Sequence, residues 1–168
     1  MYSIVYLNGE EFKTTWLGNK SVYRTRMAIA DGGELIVLAP GVERFGEDEA
    51  VDKLIRKYGY KGRLNTLEQF EKPENQDLRD NMGAAAHLIH GSSDGRFSIT
   101  YCTEKVTQEE VEGVCFNWAP YAEVAKRYDP KTLTDGWHTD IDGKPFFPLG
   151  IYHANPAYYP EISEIGFN

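Results

Sequence analysis

Residues 34–39, Glu-Leu-Ile-Val-Leu-Ala, form an almost unbroken apolar run between Gly32-Gly33 and Pro40-Gly41. A strand without a polar face must be covered on both sides, which places it inside a largely parallel sheet flanked by helices. Residues 47–58 then form an amphipathic helix with Val51, Leu54, Ile55 and Tyr58 as its stripe. Acidic Glu47, Asp48 and Glu49 start it, basic Lys53, Arg56 and Lys57 end it, and Gly59 stops it, in the order the helix dipole favours.

The rest of the chain repeats this alternation. Residues 3–7 are β-rich, Asn8-Gly9 is a hairpin signal, and residues 11–17 alternate well enough to return as a second strand, so an N-terminal β-hairpin is expected. A helix from Asn19 or Ser21 to about Ala30 follows, with Val22, Tyr23, Met27, Ile29 and Ala30 as its apolar side. Arg26 falls in the middle of that side and needs a partner, because an unpaired buried charge is very costly. A short helix is expected at 64–70, strands at 96–101 and 114–118, and helices after Thr107 and Pro120. Thr107 with Glu110 fits a capping box. Past Thr132 the periodicity ends, and Phe146, Phe147, Tyr152, Tyr158 and Tyr159 are expected to anchor an extended aromatic tail. The reading is a single α/β domain over 1–168 with a largely parallel sheet, an N-terminal hairpin and that tail.

The total charge narrows the function classes. The chain of 168 residues has 18 basic against 26 acidic residues, a net charge of -8, which disfavours phosphate backbones and anionic lipid. No basic cluster is interleaved with aromatics, so no nucleic-acid partner is expected. No stretch approaches the roughly 18 apolar residues of a membrane span, and the first residues lack the pattern of a secretory leader. No membrane partner and a cytoplasmic location are the expectation. Cys102 and Cys115 lie in or beside apolar runs without metal-type spacing and are read as buried, reduced thiols.

Residues 84–101 concentrate the chemistry: a helix end with His87 and His90, the turn Gly91-Ser92-Ser93-Asp94-Gly95, and the strand to Tyr101. At about 100° per residue, Leu78, Met82, Ala85 and Ile89 share one arc, His87 lies nearly opposite it and His90 off its flank. Neither imidazole is then needed to fill the core. The turn matches G-x-S-x-G, but that motif works as a strand-to-helix elbow, and here a helix precedes a strand. A serine nucleophile does not fit, and a polar turn after a Gly-terminated helix accounts for the residues. Two histidines three apart lack a third metal ligand, so no metal site is assigned to them. No catalytic residue is assigned on this chain. Lys20, Tyr23, Arg24 and Arg26 place three cations and a phenol around one helix start, a set suited to a carboxylate. Solvation of these side chains, with Arg26 paired internally, is the alternative.

Residues 21–42, Phe45-Gly46-Glu47-Asp48, residues 55–60 and residues 84–101 resemble the C-terminal domain of the lactate-racemase-like family, in particular its sugar-acid (mannonate-type) epimerase branch. The resemblance covers nearly the whole chain. It implies an isomerase domain whose cofactor, the nickel-pincer nucleotide, is held by an N-terminal catalytic domain absent from this chain, with no cofactor on the chain alone. It implies a racemase or epimerase of 2-hydroxy acids working by hydride abstraction and return at the α-carbon, inactive without its N-terminal partner. By region, Lys20, Tyr23, Arg24 and Arg26 match the family's substrate- and cofactor-facing helix start, and His87 and His90 join them as cleft-lining candidates. The tail departs from the family pattern at Tyr158-Tyr159-Pro160. Partners are then the N-terminal domain or subunit and a small 2-hydroxy acid, with room for a homo-oligomer. The rival expectation is a non-catalytic binding or interaction module for an acidic ligand or a protein.

Overall fold

The structure, a computed structural model, describes residues 2–129, 138–139 and 141–151. The strands are β1 (Tyr2–Tyr6), β2 (Glu34–Leu38), β3 (Ser98–Thr103), β4 (Asn117–Pro120), β5 (His138–Thr139) and β6 (Pro145–Ile151). The helices are α1 (Thr15–Gly18), α2 (Lys20–Thr25), α3 (Glu49–Tyr58), α4 (Arg63–Glu71), α5 (Gln76–Arg79), α6 (Met82–His90), α7 (Gln108–Gly113) and α8 (Tyr121–Arg127). The strands form one sheet in the order β4-β3-β2-β1-β6-β5. The pairs β1–β2, β2–β3, β3–β4 and β1–β6 are parallel, and β5 runs antiparallel to β6 at the edge. The α/β architecture read from the sequence is the one observed.

Alternation along the strands divides the core. Val5, Leu7, Leu35, Val37, Ala39, Ile99 and Tyr101 face a helical layer and are all buried there. Ile4, Leu38 and Cys102 face the other side, where Tyr121, Val124 and Tyr128 of α8 and its end cover them. Residues 34–38 are thus covered on both faces, as their composition required.

The N-terminal hairpin does not form. Both edges of β1 are occupied by parallel partners, β2 on one side and β6 on the other, so no edge remains for residues 11–17. The chain instead turns at Asn8, whose carbonyl accepts from the amides of Glu11 and Phe12. Thr14 then caps α1, its hydroxyl accepting from Leu17 N at 3.3 Å. The alternation of 11–17 reflects Phe12 and Thr14 turning inward from a loop.

Other boundaries moved for local reasons. The helix expected to run to Ala30 ends at Thr25, and Met27, 85% exposed, is not on an apolar core face. Asn19 occupies the N-cap position of α2 but makes no side-chain cap bond, because its amide oxygen accepts from Tyr101 Oη at 2.6 Å. Asp48 caps α3 through Val51 N at 2.8 Å, and its stripe of Val51, Leu54, Ile55 and Tyr58 is buried. The Thr107–Glu110 capping box is present on α7. The strand expected at 114–118 begins three residues later, at Asn117. In the C-terminal region, 145–151 joins the sheet as β6, while Tyr152, Tyr158 and Tyr159 lie outside the described residues.

A break at Asp80-Asn81 divides the segment around Leu78 into α5 and α6. Asn81 leaves the helical region (φ -127°, ψ 75°) and caps α6 through Ala84 N at 2.9 Å. That cap resets the helical phase, so the arc projected from Leu78 does not continue. Ala84, Ala85 and Leu88 are buried, while Met82 is 71% exposed.

Candidate functional site

Helices α1 and α2 meet α6 through two aromatic contacts, made by residues seven apart on the α1–α2 side and three apart on α6. Trp16 of α1 lies 4.5 Å from the His87 ring on α6, and Tyr23 of α2 meets His90 edge-on at 6.3 Å. The sequence candidates Lys20, Tyr23 and Arg24 occupy neighbouring positions on α2, with Tyr23 and Arg24 exposed and Lys20 half-buried. Because positions three and four apart share a helix face, Lys20, Tyr23 and Arg24 face the same way. The structure therefore brings five of the six candidates to neighbouring positions where α2 meets α6, Lys20, Tyr23 and Arg24 from α2 and His87 and His90 from α6, joined by the Tyr23–His90 contact.

Arg26 has a different task. Its guanidinium donates to the Ser92 carbonyl beyond α6, and its own carbonyl accepts from Arg96 at 3.2 Å. Arg96 also binds Asp31 at 2.6 Å and the Ile29 carbonyl at 3.1 Å. The partner required for Arg26 is thus a backbone carbonyl, and the arginine fastens the end of α2 to the turn after α6.

That turn is structural in detail. Asp94 and Gly95 have φ of 54° and 78°, the left-handed pair of an Asp-Gly tight turn, and Arg96 N returns to the Ser93 carbonyl at 3.2 Å. Asp94 Oδ1 accepts from Arg63 N at 2.8 Å, pinning the start of α4. Ser92 Oγ donates to the Ile89 carbonyl at 2.9 Å. No strained elbow presents a serine here.

His87 is held by residues that no sequence pattern singled out. Its Nε2 lies 2.9 Å from Tyr60 Oη, Tyr60 Oη lies 2.9 Å from Thr15 Oγ1, and Thr15 Oγ1 donates to the Phe45 carbonyl at 2.9 Å. The expectation that His87 points away from the core is corrected. The Asn81 cap rotates it into a half-buried position between Trp16 and Tyr60. Burial, with a smaller contribution from the charge of His90, lowers its pKa to about 4. Burial likewise holds the Tyr60 and Tyr101 hydroxyls above the usual phenol range. Beneath them Tyr60, Phe116 and Tyr101 stack with ring centroids 4.5 and 4.9 Å apart.

The cations of this face suit an anion. Among the described residues no group of three or more His, Cys, Asp and Glu is placed to hold a metal ion, and His87 Nε2 is already engaged by Tyr60. Cations on α2 and an imidazole on α6 fit a carboxylate or phosphate group brought to the face. A separate cavity of about 110 Å³ lies at the starts of β3 and β4, lined by Ser93, Phe97, Cys115 and Phe116 among others. It contains none of the five surface candidates and is large enough for only a few waters. Cys115 is exposed there, contrary to the expectation of a buried thiol, while Cys102 is buried and its thiol is pushed up to about 12.

No family model matches the chain, and no curated protein matches it. Among solved structures, it is similar to a protein from Thermotoga maritima determined as a structural genomics target, with 23% identity and a TM-score of 0.61. The two chains share a fold. The match covers 73% of this chain and 30% of the Thermotoga chain, so the same α/β unit occurs there within a much longer protein. Among the described residues no helix is long and apolar enough to cross a membrane.

Proposed function

We propose that the chain is the C-terminal, substrate-side domain of a nickel-pincer-dependent racemase or epimerase of 2-hydroxy acids, of the sugar-acid branch, working in the cytoplasm with an N-terminal catalytic domain. The observation that carries this reading is the common face of α2 and α6, where Lys20, Tyr23 and Arg24 flank His90 and His87. The occurrence of the fold within a longer chain supports a domain that works joined to another. When bound by the N-terminal domain, the nickel-pincer nucleotide supplies hydride transfer at the substrate α-carbon. This chain's residues bind and orient. Lys20 and Arg24 neutralise the substrate carboxylate, Tyr23 donates a hydrogen bond at the rim, and the Trp16 and Tyr23 rings exclude water from the substrate's apolar edge. The chain alone has no epimerase activity. The test is epimerisation of mannonate by this chain with and without a cofactor-loaded N-terminal domain of the family. Activity from this chain alone refutes the reading, as does inactivity of the reassembled pair.

A non-catalytic interaction module is the second reading, and the distribution of exposed apolar side chains favours it. Of the seven large hydrophobics exposed among the described residues, Leu17, Tyr23, Met27, Leu64, Leu67 and Met82 all lie on α1, α2, α4 and α6 or the turn after α2. Clusters of this kind mark contact surfaces. A module of this type binds its protein partner or acidic ligand without any cofactor and stays inactive when the cofactor-loaded N-terminal domain is supplied, so the epimerisation assay separates the two readings.

A further inference from the structure

The hydrogens of the chain from His87 to Phe45 can be placed in one order only. A backbone carbonyl accepts and cannot donate, so Thr15 Oγ1 spends its hydrogen on Phe45 O. Thr15 must then accept from Tyr60 Oη, and Tyr60, having given its hydrogen, must accept from His87. The ring hydrogen of His87 is therefore on Nε2. The ring is neutral, since burial disfavours its charged form, and the lone pair is on Nδ1. That atom makes no hydrogen bond within the described protein. Among the described residues, Asn19 Nδ2 is the one enclosed side-chain nitrogen or oxygen without a partner, so His87 Nδ1 keeps contact with solvent. The ring lies against Trp16, one helical turn before His90, which meets Tyr23.

We propose that His87 is a ligand-contacting residue whose Nδ1, left bare because Nε2 is anchored through Tyr60 and Thr15 to the Phe45 carbonyl, accepts a hydrogen bond from a hydroxyl of a polyhydroxy acid bound on the α2–α6 face. The identification of the ligand as an acid rests on the sugar-acid reading above; the acceptor role rests on the hydrogen-bond order alone. An acceptor that stays neutral at physiological pH selects a hydroxyl donor and disfavours a second carboxylate at that position. The anchoring also fixes the ring orientation before the ligand arrives, which reduces the entropy cost of binding.

The experiment is two-bond 1H–15N correlation NMR of the full chain at neutral pH, followed by titration with mannonate and, separately, with mannitol, which has the hydroxyls without the carboxylate. The expected spectrum shows His87 as the Nε2–H tautomer, with a bare Nδ1 whose resonance moves as either probe is added. H87Q keeps a donor toward Tyr60 and lacks the Nδ1 acceptor, and it weakens binding about fivefold, the loss of one neutral hydrogen bond. H87N retains an acceptor near Nδ1 and weakens it less. The wild-type spectra test the proposal whether or not the variants fold. An Nδ1–H tautomer, or an Nδ1 resonance that neither probe moves, overturns it. If mannonate moves the α2 signals and leaves Nδ1 unchanged, this role falls while the sugar-acid reading stands. If mannitol moves Nδ1 and mannonate binds no better, the role stands and the acid reading falls.

Discussion

Replacing Gly91 with alanine tests whether the candidate face is built on a close approach of backbone to the Asn19–Tyr60 pair. Gly91 has an ordinary helical conformation, with φ of -79°, so backbone considerations alone favour alanine by up to about 1 kcal/mol. Packing opposes it. An added Cβ would lie 2.4 Å from Asn19 Nδ2 and 2.6 Å from Tyr60 Cε1. Neither neighbour can withdraw easily: Asn19 is fully buried and bound to Tyr101, and Tyr60 stacks on Phe116. Overpacking costs roughly 1–3 kcal/mol, and moving Tyr60 away from Thr15 or His87 removes a hydrogen bond worth about 1 kcal/mol. After the backbone gain, Gly91→Ala should destabilise the fold by about 1–3 kcal/mol. Urea denaturation should show a lower midpoint with an unchanged slope, and the His87 Nε2–H signal should broaden or shift. Gly113→Ala is the control, because a Cβ there meets nothing within 4 Å, and it should stabilise by about 0.5 kcal/mol. If Gly91→Ala matches wild type to within about 0.5 kcal/mol, the steric reasoning is wrong.

His87 should make the fold sensitive to acid. Its folded pKa, about 4, lies below the ordinary 6.5, so the unfolded chain binds the proton first; the stabilisation is complete above about pH 6.5 and is lost as pH falls through about 4. The loss amounts to about 3 kcal/mol, and H87Q should show a flatter stability curve over that window; parallel curves would refute the assignment. Thr107→Ala removes the side-chain half of the α7 capping box, leaving the backbone amide at 107 to donate to Glu110, and should cost about 1 kcal/mol in thermal unfolding; no measurable change would mean the side-chain cap contributes nothing. A thiol reagent should modify exposed Cys115 in the native chain and buried Cys102 only on unfolding; equal rates for the two would contradict their placement.

The sequence alone determined the parts of this protein whose signals are local. The apolar run of β2, the stripe and charged ends of α3, and the Thr107–Glu110 box each need only neighbours within a few residues, and each appears where its pattern put it. Together they were enough to fix an α/β unit with a parallel sheet. Tertiary structure decided the rest. Residues 11–17 have an acceptable strand pattern, but pattern does not reveal that both edges of β1 are already taken. The helical projection from Leu78 failed because one Asn81 cap resets the phase, and with it the orientation of His87. Lys20, Tyr23 and Arg24 were visible as a cluster because they are close in sequence. The frame around them was not: Tyr60 meets His87 from 27 residues away and Tyr101 meets Asn19 from 82. Contacts of that range leave no periodic trace in a single chain, and only the packed sheet and its helices bring them together.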